Sequence, residues 1–394
     1  VVGAGIVGLA VARRLGEVFT DAQVTVLDKE ATVGAHQTGH NSGVVHAGVY
    51  YMPGSLKARL CRRGVELLLP YCAERGIAYE ECGKLIVALN GSELERLDEI
   101  ERRGSANGVP DLKRLDRAQM REVEPHVAGV SALHSPRTAI VDFPAVARAY
   151  ADDVESGGGS LRLGFEVVAI SRRAGELRVR AAAGEELVFD RLLICGGLQS
   201  DRLAKLAGED KEPSIVPFRG EYYRLVAARA GFVRGLIYPV PDPAYPFLGI
   251  HFTRRVDGGV DIGPNAVLAF AREGYTRTDF SFADLTETLM SAGFRKFARR
   301  HWKIGAREMW GSLSRRAFVA LAREYIPQLT VADVEPAPAG VRAQAIDRDG
   351  SLVDDFRITQ VDGIVLVRNA PSPAATSSLA IAEYVVDEVC AKAS

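Results

Sequence analysis

Cysteine is scarce in this sequence and nowhere usefully paired. Five occur among 394 residues, at positions 61, 72, 82, 195 and 390, with no C-x-x-C spacing. That excludes a zinc ribbon and a small disulfide-stapled fold, so no metal site is expected and a reducing, cytoplasmic compartment is. Long apolar runs are missing too, which leaves no membrane-spanning helix to expect. Charge of one sign is not in excess: 49 Lys+Arg stand against 50 Asp+Glu, and nucleic acid is not an expected partner. No repeat or low-complexity segment is present. No signal peptide is visible, and residue 1 already stands inside an apolar strand.

Glycine, by contrast, is plentiful at 39 residues, and its first three copies are spaced for a purpose. VVGAGIVGLAVARRLG reads as a strand end, a tight turn and a helix, with Gly3, Gly5 and Gly8 in a G-x-G-x-x-G pattern. The first glycine permits the turn, and the second lets a pyrophosphate approach the backbone around Ile6 and Val7. The third lets helix and strand pack closely. The strand QVTVLDKE follows and ends at Asp28 and Lys29, where a carboxylate can accept from a ribose hydroxyl. A nucleotide is the expected cofactor.

A nicotinamide-binding domain usually continues at once into another βαβ unit. Here the next convincing parallel strand is RLLICGG at 191–197. A long insertion before the chain returns to its sheet favours FAD over NAD. The expected fold is α/β: an FAD-binding Rossmann-like domain with an interleaved α+β substrate domain carrying a broad mixed or antiparallel sheet. The expected boundaries are 1–80, 136–212 and 337–394 for the first, and 81–135 and 213–336 for the second. PAPAG at 336–340 reads as the hinge between them. Helices are expected near 55–75, 92–104, 116–123, 281–300 and 311–326, and a last helix capped by Ser372 with Pro373 at its first position.

Several stretches carry a resemblance: GAGIVG, HQTGHNSGVVHAGVYYMPGSLKARLC, PFRGEYY, FLGIHFT, DIGPNAV, GVRAQA and NAPSPAATSSLAIAEYV. On these the chain resembles the FAD-dependent oxidoreductases of the D-amino-acid-oxidase superfamily, in the branch that oxidises L-2-hydroxyglutarate to 2-oxoglutarate. One departure is Asp28, where a glutamate is common. The resemblance implies a flavin site built from Thr38, Gly39, His40, Asn41 and Ser42, which wrap the pyrophosphate and ribityl chain. Val168, Cys195, Gly196, Gly197, Gly340, Arg342, Asn369, Pro373, Ala374, Ala375 and Thr376 complete it. It places Tyr50 and Tyr51 near the substrate mouth. It also implies hydride transfer from the hydroxy acid to flavin N5; for the onward electrons, a quinone and oxygen are both compatible with the sequence.

The hydroxyl proton needs a base near neutrality, and histidine suits it. His251 is preferred because Ile250 and Phe252 should face the other side of its strand. His46 is second, and a buried histidine with no chemical role is the alternative for each. A dicarboxylate asks for a bidentate cation, for which Arg342 ranks above Arg219 and Arg254, with Tyr223 and Gln344 as polar partners. The segment FRKFARRHWKIGAR at 294–307 carries six Lys/Arg, and Phe294, Phe297 and Ile304 recur at helical spacing. A solvated helix end explains such a run, and so does peripheral contact with an anionic membrane at its cytoplasmic face. Amine oxidation (glycine or sarcosine), glycerol-3-phosphate dehydrogenation and a non-catalytic flavin subunit are the competing functions.

Overall fold

The computed structural model describes residues 1–173, 175–243 and 248–390. Val2 forms parallel bridges to both Leu27 and Ile194, which sets the N-terminal segment in the middle of a sheet. Thr25–Leu27 pairs in parallel with Ser160–Arg162 on one side. Leu192–Ile194 pairs in parallel with Ile364–Asn369 on the other, and Arg357–Val361 closes that edge antiparallel. Strands distant in sequence thus lie side by side around the first one.

Helix Ile6–Val18 covers one face. Its Leu9, Ala10 and Val11 share a core with helix Phe143–Ser156 and with Leu379–Ala382 of the last helix. Asp142 caps Phe143–Ser156 by accepting from the Ala145 N–H, with proline in the first turn. The other face packs Val2, Leu27 and Ile194 against Leu177 and Val179 of a three-stranded antiparallel sheet.

The second layer is a mixed nine-stranded sheet among the described residues. Its centre runs from Ser214–Leu225 through Val260–Gly263, His251–Arg254 and Leu236–Pro239 to Lys84–Ala88. Leu236–Pro239 and Lys84–Ala88 are parallel and the other pairs antiparallel. PAPAG is strand rather than loop. It lies inside strand Val334–Ile346, which pairs along the length of Ser214–Leu225 on the side away from Val260–Gly263. Prolines are tolerated on such an edge, where a missing N–H breaks no ladder.

Two further expectations change. Helices Phe282–Met290, Ala292–Leu313 and Arg315–Ala322 stand where two were expected, at 281–300 and 311–326. Phe294 and Phe297 turn inward onto Val216 and Phe218, so they do not form an outward apolar stripe. The last helix begins at Ser378 rather than Ser372. Pro371–Ser377 instead forms turns, with Ala374 N–H donating to Pro371 O (2.9 Å) and Ser377 N–H to Pro373 O (3.0 Å).

Candidate active site

A cavity of about 1330 Å³ runs from the glycine turn to the face of the nine-stranded sheet. At one end lie Gly3, Gly5, Ile6, Val7, Gly8, Asp28 and Lys29. Gly3 has φ +109°, and a Cβ there would stand 2.4 Å from the Cys195 carbonyl oxygen. A Cβ on Gly8 would stand 1.9 Å from the Gly3 oxygen. Gly5 meets only the Thr38 hydroxyl, at 3.5 Å, so its open side belongs to the cavity. Backbone here leaves room for a phosphate, which side chains would fill.

Asp28 also has a structural task. Its carboxylate accepts from the Ala4 N–H (2.6 Å) and the Glu30 N–H (2.9 Å), holding the glycine turn to the second strand. Each oxygen keeps a lone pair for a ribose hydroxyl. Lys29 pairs with Glu30 and with Glu273 (2.8 Å), and His36 reaches Glu30 at 2.9 Å. Glu30, His36 and Glu273 have metal-like spacing, but the Lys29 ammonium already supplies the cation there.

Thr38, His40, Asn41 and Ser42 line the middle, with Gly340 opposite. Much of this loop holds itself. Asn41 donates to Thr38 O (2.6 Å) and accepts from Gly43 N–H (2.7 Å), and Thr38 Oγ1 accepts from Ile6 N–H (3.0 Å). Gly39 is a correction: it does not reach the wall, but backs the turn, where a Cβ would stand 2.8 Å from Gly34 O. A Cβ on Gly340 would stand 2.5 Å from His40 O, so glycine lets the strand cross the loop. Cys195, Gly196, Gly197 and Val168 form the flank, Val168 toward the surface. Asn369 and Pro373–Thr376 line the far side. The helix start expected here lies deeper, so the turns preceding Ser378, rather than a helix end, face the cavity.

At the sheet end the wall carries His251, His46, Arg342, Gln344, Tyr50, Tyr51, Tyr222, Tyr238 and Lys57. His251 Nδ1 lies 2.9 Å from the Gly249 carbonyl, which can only accept. The proton is therefore on Nδ1, and neutral Nε2 keeps its lone pair. The ring packs against Tyr238 at 4.1 Å. Burial pushes its pKa down to about 3, with Arg342 and Lys84 adding to that and the Gly249 bond opposing. His46 is likewise held well below its ordinary value, by burial first and then by Lys84, His251 and Lys57. Among the described residues its Nδ1 is buried without a partner, as is the Tyr50 hydroxyl. Arg342 is hydrogen-bonded to the half-buried Tyr222. Lys57 donates to the Asp354 carboxylate at 2.8 Å.

Three expected substrate residues do not reach the cavity. Arg219 is buried against Glu221 (3.0 Å) and the Thr276 carbonyl (2.9 Å). Tyr223 packs on Phe318 at 4.6 Å in the core behind the sheet. Arg254 reaches outward to Glu80 at 3.2 Å. Strand alternation explains the last two: Tyr222 and His251 face the cavity, so Tyr223, Phe252 and Arg254 face away. The sequence reading passed over Tyr222, Tyr238 and Lys57. In EYY the phase of alternation is set by an irregularity between Gly220 and Tyr222, whose local mark is the glycine itself.

Substituting Gly8 by alanine puts a methyl group into the Gly3 carbonyl. The variant is expected to lose about 1–3 kcal/mol of stability and to retain far less flavin. The flavin-to-protein absorbance ratio after purification checks this, and full loading would contradict it.

A glycine turn, a bridging polar loop and a carboxylate beside a parallel sheet define a flavin-dependent oxidoreductase. The family model described as FAD dependent oxidoreductase matches residues 1–388, and the chain belongs to that family. Within it, several relatives matched over nearly the whole chain are L-2-hydroxyglutarate dehydrogenases. The mitochondrial protein of Homo sapiens is 45% identical over 405 residues, covering 99% of this chain and 88% of that one. That of Escherichia coli K12 is 43% identical over 389 residues, covering 99% and 92%. Among solved structures, L-α-glycerophosphate oxidase from Mycoplasma pneumoniae with FAD bound superposes with a TM-score of 0.78 at 22% identity, covering 98% of this chain and 92% of that one. Glycine oxidase from Geobacillus kaustophilus gives 0.74 at 18%, with coverage of 98% and 92%. These two share the fold.

Proposed function

We propose that the protein oxidises L-2-hydroxyglutarate to 2-oxoglutarate, with FAD as its cofactor. The observation that carries this reading is the meeting of His251 and the Arg342–Tyr222 pair at the far end of the cavity that starts at the glycine turn. FAD supplies the two-electron acceptor for the hydrogen leaving C2. His251 Nε2 takes the hydroxyl proton, since Nδ1 is committed to Gly249. Arg342 holds a substrate carboxylate, and Tyr222 steadies the guanidinium. Gln344 and Tyr51 border the same space. His46 is the alternative base, but no hydrogen bond fixes the proton on its Nδ1. The test is turnover at equal concentration of L-2-hydroxyglutarate, glycerol 3-phosphate, glycine and sarcosine. The hydroxy acid is expected to react at least about a hundredfold faster, and preference for an amine or a phosphate ester would overturn the reading.

A membrane quinone is the electron acceptor this surface favours, reached from the cytoplasmic side. No helix among the described residues is long and apolar enough to cross a membrane. Phe282 (75% exposed), Met290 (71%) and Trp302 (63%) stand out on neighbouring helices, with exposed Arg295, Lys296, Arg299, Arg300 and Lys303 beside them. Apolar tips amid cations suit an anionic lipid surface. Replacing Arg299 and Arg300 together by glutamate is expected to abolish co-sedimentation with vesicles rich in anionic lipid. Undiminished sedimentation would remove the membrane from the account and leave oxygen as acceptor.

A further inference from the structure

One buried charge is left unused by this mechanism. Lys84 begins strand Lys84–Ala88 and is 1% exposed. The residues that share its face, Ile86 and Ala88, enter an apolar cluster. Its ammonium lies 4.8 Å from the centroid of the Tyr50 ring and 5.0 Å from that of Tyr238, and both rings line the cavity. Lys57 and Lys29 on the same cavity each hold a carboxylate. Lys84 holds none among the described residues. The groups that favour its charge are Cys61 and Cys82, and burial pushes both thiols up to about 12, so they stay neutral. Two aromatic faces offset only part of the cost of burying an ammonium. Beside it, the Tyr50 hydroxyl is buried with no hydrogen-bond partner among the described residues. Among the described residues, a donor without an acceptor beside a cation without a counter-charge leaves the pair one anion short.

We infer that Tyr50 and Lys84 form the subsite for the second carboxylate of a dicarboxylate substrate, and so set the preference for dicarboxylates over monocarboxylates. This rests on the proposed function and adds a specificity determinant to it. Tyr50 sets its ring in the cavity wall; its hydroxyl is covered in this structure and donates to the carboxylate once the substrate is seated. Lys84 is a positioning residue, supplying charge from behind the ring.

The arrangement has a pH signature. His46 and His251 face this group and are held low by burial, while Tyr50, Tyr238, Cys61 and Cys82 are raised by it. Burial pushes Lys84 down to about 8. Binding an anion favours the ammonium and raises that value in the complex. Dicarboxylate affinity is therefore full below pH 8 and falls as pH rises above it.

The experiment compares FAD-loaded wild type and Lys84→Met at pH 7 and 9. The substrates are L-2-hydroxyglutarate and L-2-hydroxyvalerate, which has a methyl group in place of the second carboxylate. Lys84→Met is expected to raise KM for hydroxyglutarate about tenfold or more, with kcat/KM for hydroxyvalerate shifting less than about twofold. Wild-type KM for hydroxyglutarate is expected to rise between the two pH values, and that of the variant to stay level. Equal losses on both substrates, or an unchanged KM, would overturn the subsite while leaving the proposed function standing. Wild type inert toward hydroxyglutarate at pH 7 would overturn both. Should Lys84→Met fail to load FAD, Tyr50→Phe decides. A selective loss on hydroxyglutarate supports the subsite, and an unchanged substrate ratio overturns it.

Discussion

Replacing His251 with alanine is expected to lower kcat by about 10²- to 10⁴-fold, the range for losing a positioned general base. Flavin content should stay near that of wild type, because the ring lies at the sheet end and not among the glycine and loop residues. The expected base near neutrality is not what burial makes of His251: it is pushed down to about 3, so it is already neutral in the free enzyme. A base acts when unprotonated, so activity is lost only as pH falls toward that value. The kcat/KM profile should thus be level through the ordinary histidine range near pH 6.5, and its acid limb should lie below about pH 5. An acid limb centred near 6.5 would contradict the assignment. So would a His251→Ala enzyme of near-normal kcat, and a larger loss in His46→Ala would move the role to His46. Burial without a counter-charge also has a stability consequence. The unfolded chain binds protons at these histidines below pH 6.5 while the folded chain does not, so their contribution is present above that pH and lost on acidification.

The second large effect is expected at Arg342. Arg342→Met should reduce kcat/KM by about two to three orders of magnitude, as removing one partner of a desolvated carboxylate pair does. It also frees Tyr222 from the guanidinium. Arg342→Lys should recover only part of the loss, because an ammonium cannot make the planar, two-pronged contact. Steady-state kinetics on flavin-loaded variants check both. A methionine variant within about threefold of wild type would mean that the substrate carboxylates lie elsewhere in the cavity.

What could be read from the sequence is what short-range chemistry dictates. The turn at Gly3–Gly8 is legible because its steric demands fall on neighbours in the chain. His251 is legible because alternation along a short strand sorts it from Ile250 and Phe252. The errors lie where distant segments decide. Arg219, Tyr223 and Arg254 have suitable chemistry, but the phase of their strands relative to the cavity comes from sheet pairing and the irregularity at Gly220–Tyr222. PAPAG looks like a linker by composition and becomes an edge strand because a long neighbour lies beside it. Lys84 begins what reads as an ordinary apolar strand. Its burial between two tyrosine rings is a tertiary fact with no local trace.

The most direct test of the central claim is anaerobic visible spectroscopy of the FAD-loaded protein, adding D- and then L-2-hydroxyglutarate. The account predicts an oxidised flavin spectrum unchanged by the D form and bleached by the L form, with one 2-oxoglutarate formed per flavin. A flavin that stays oxidised with saturating L-2-hydroxyglutarate would contradict it.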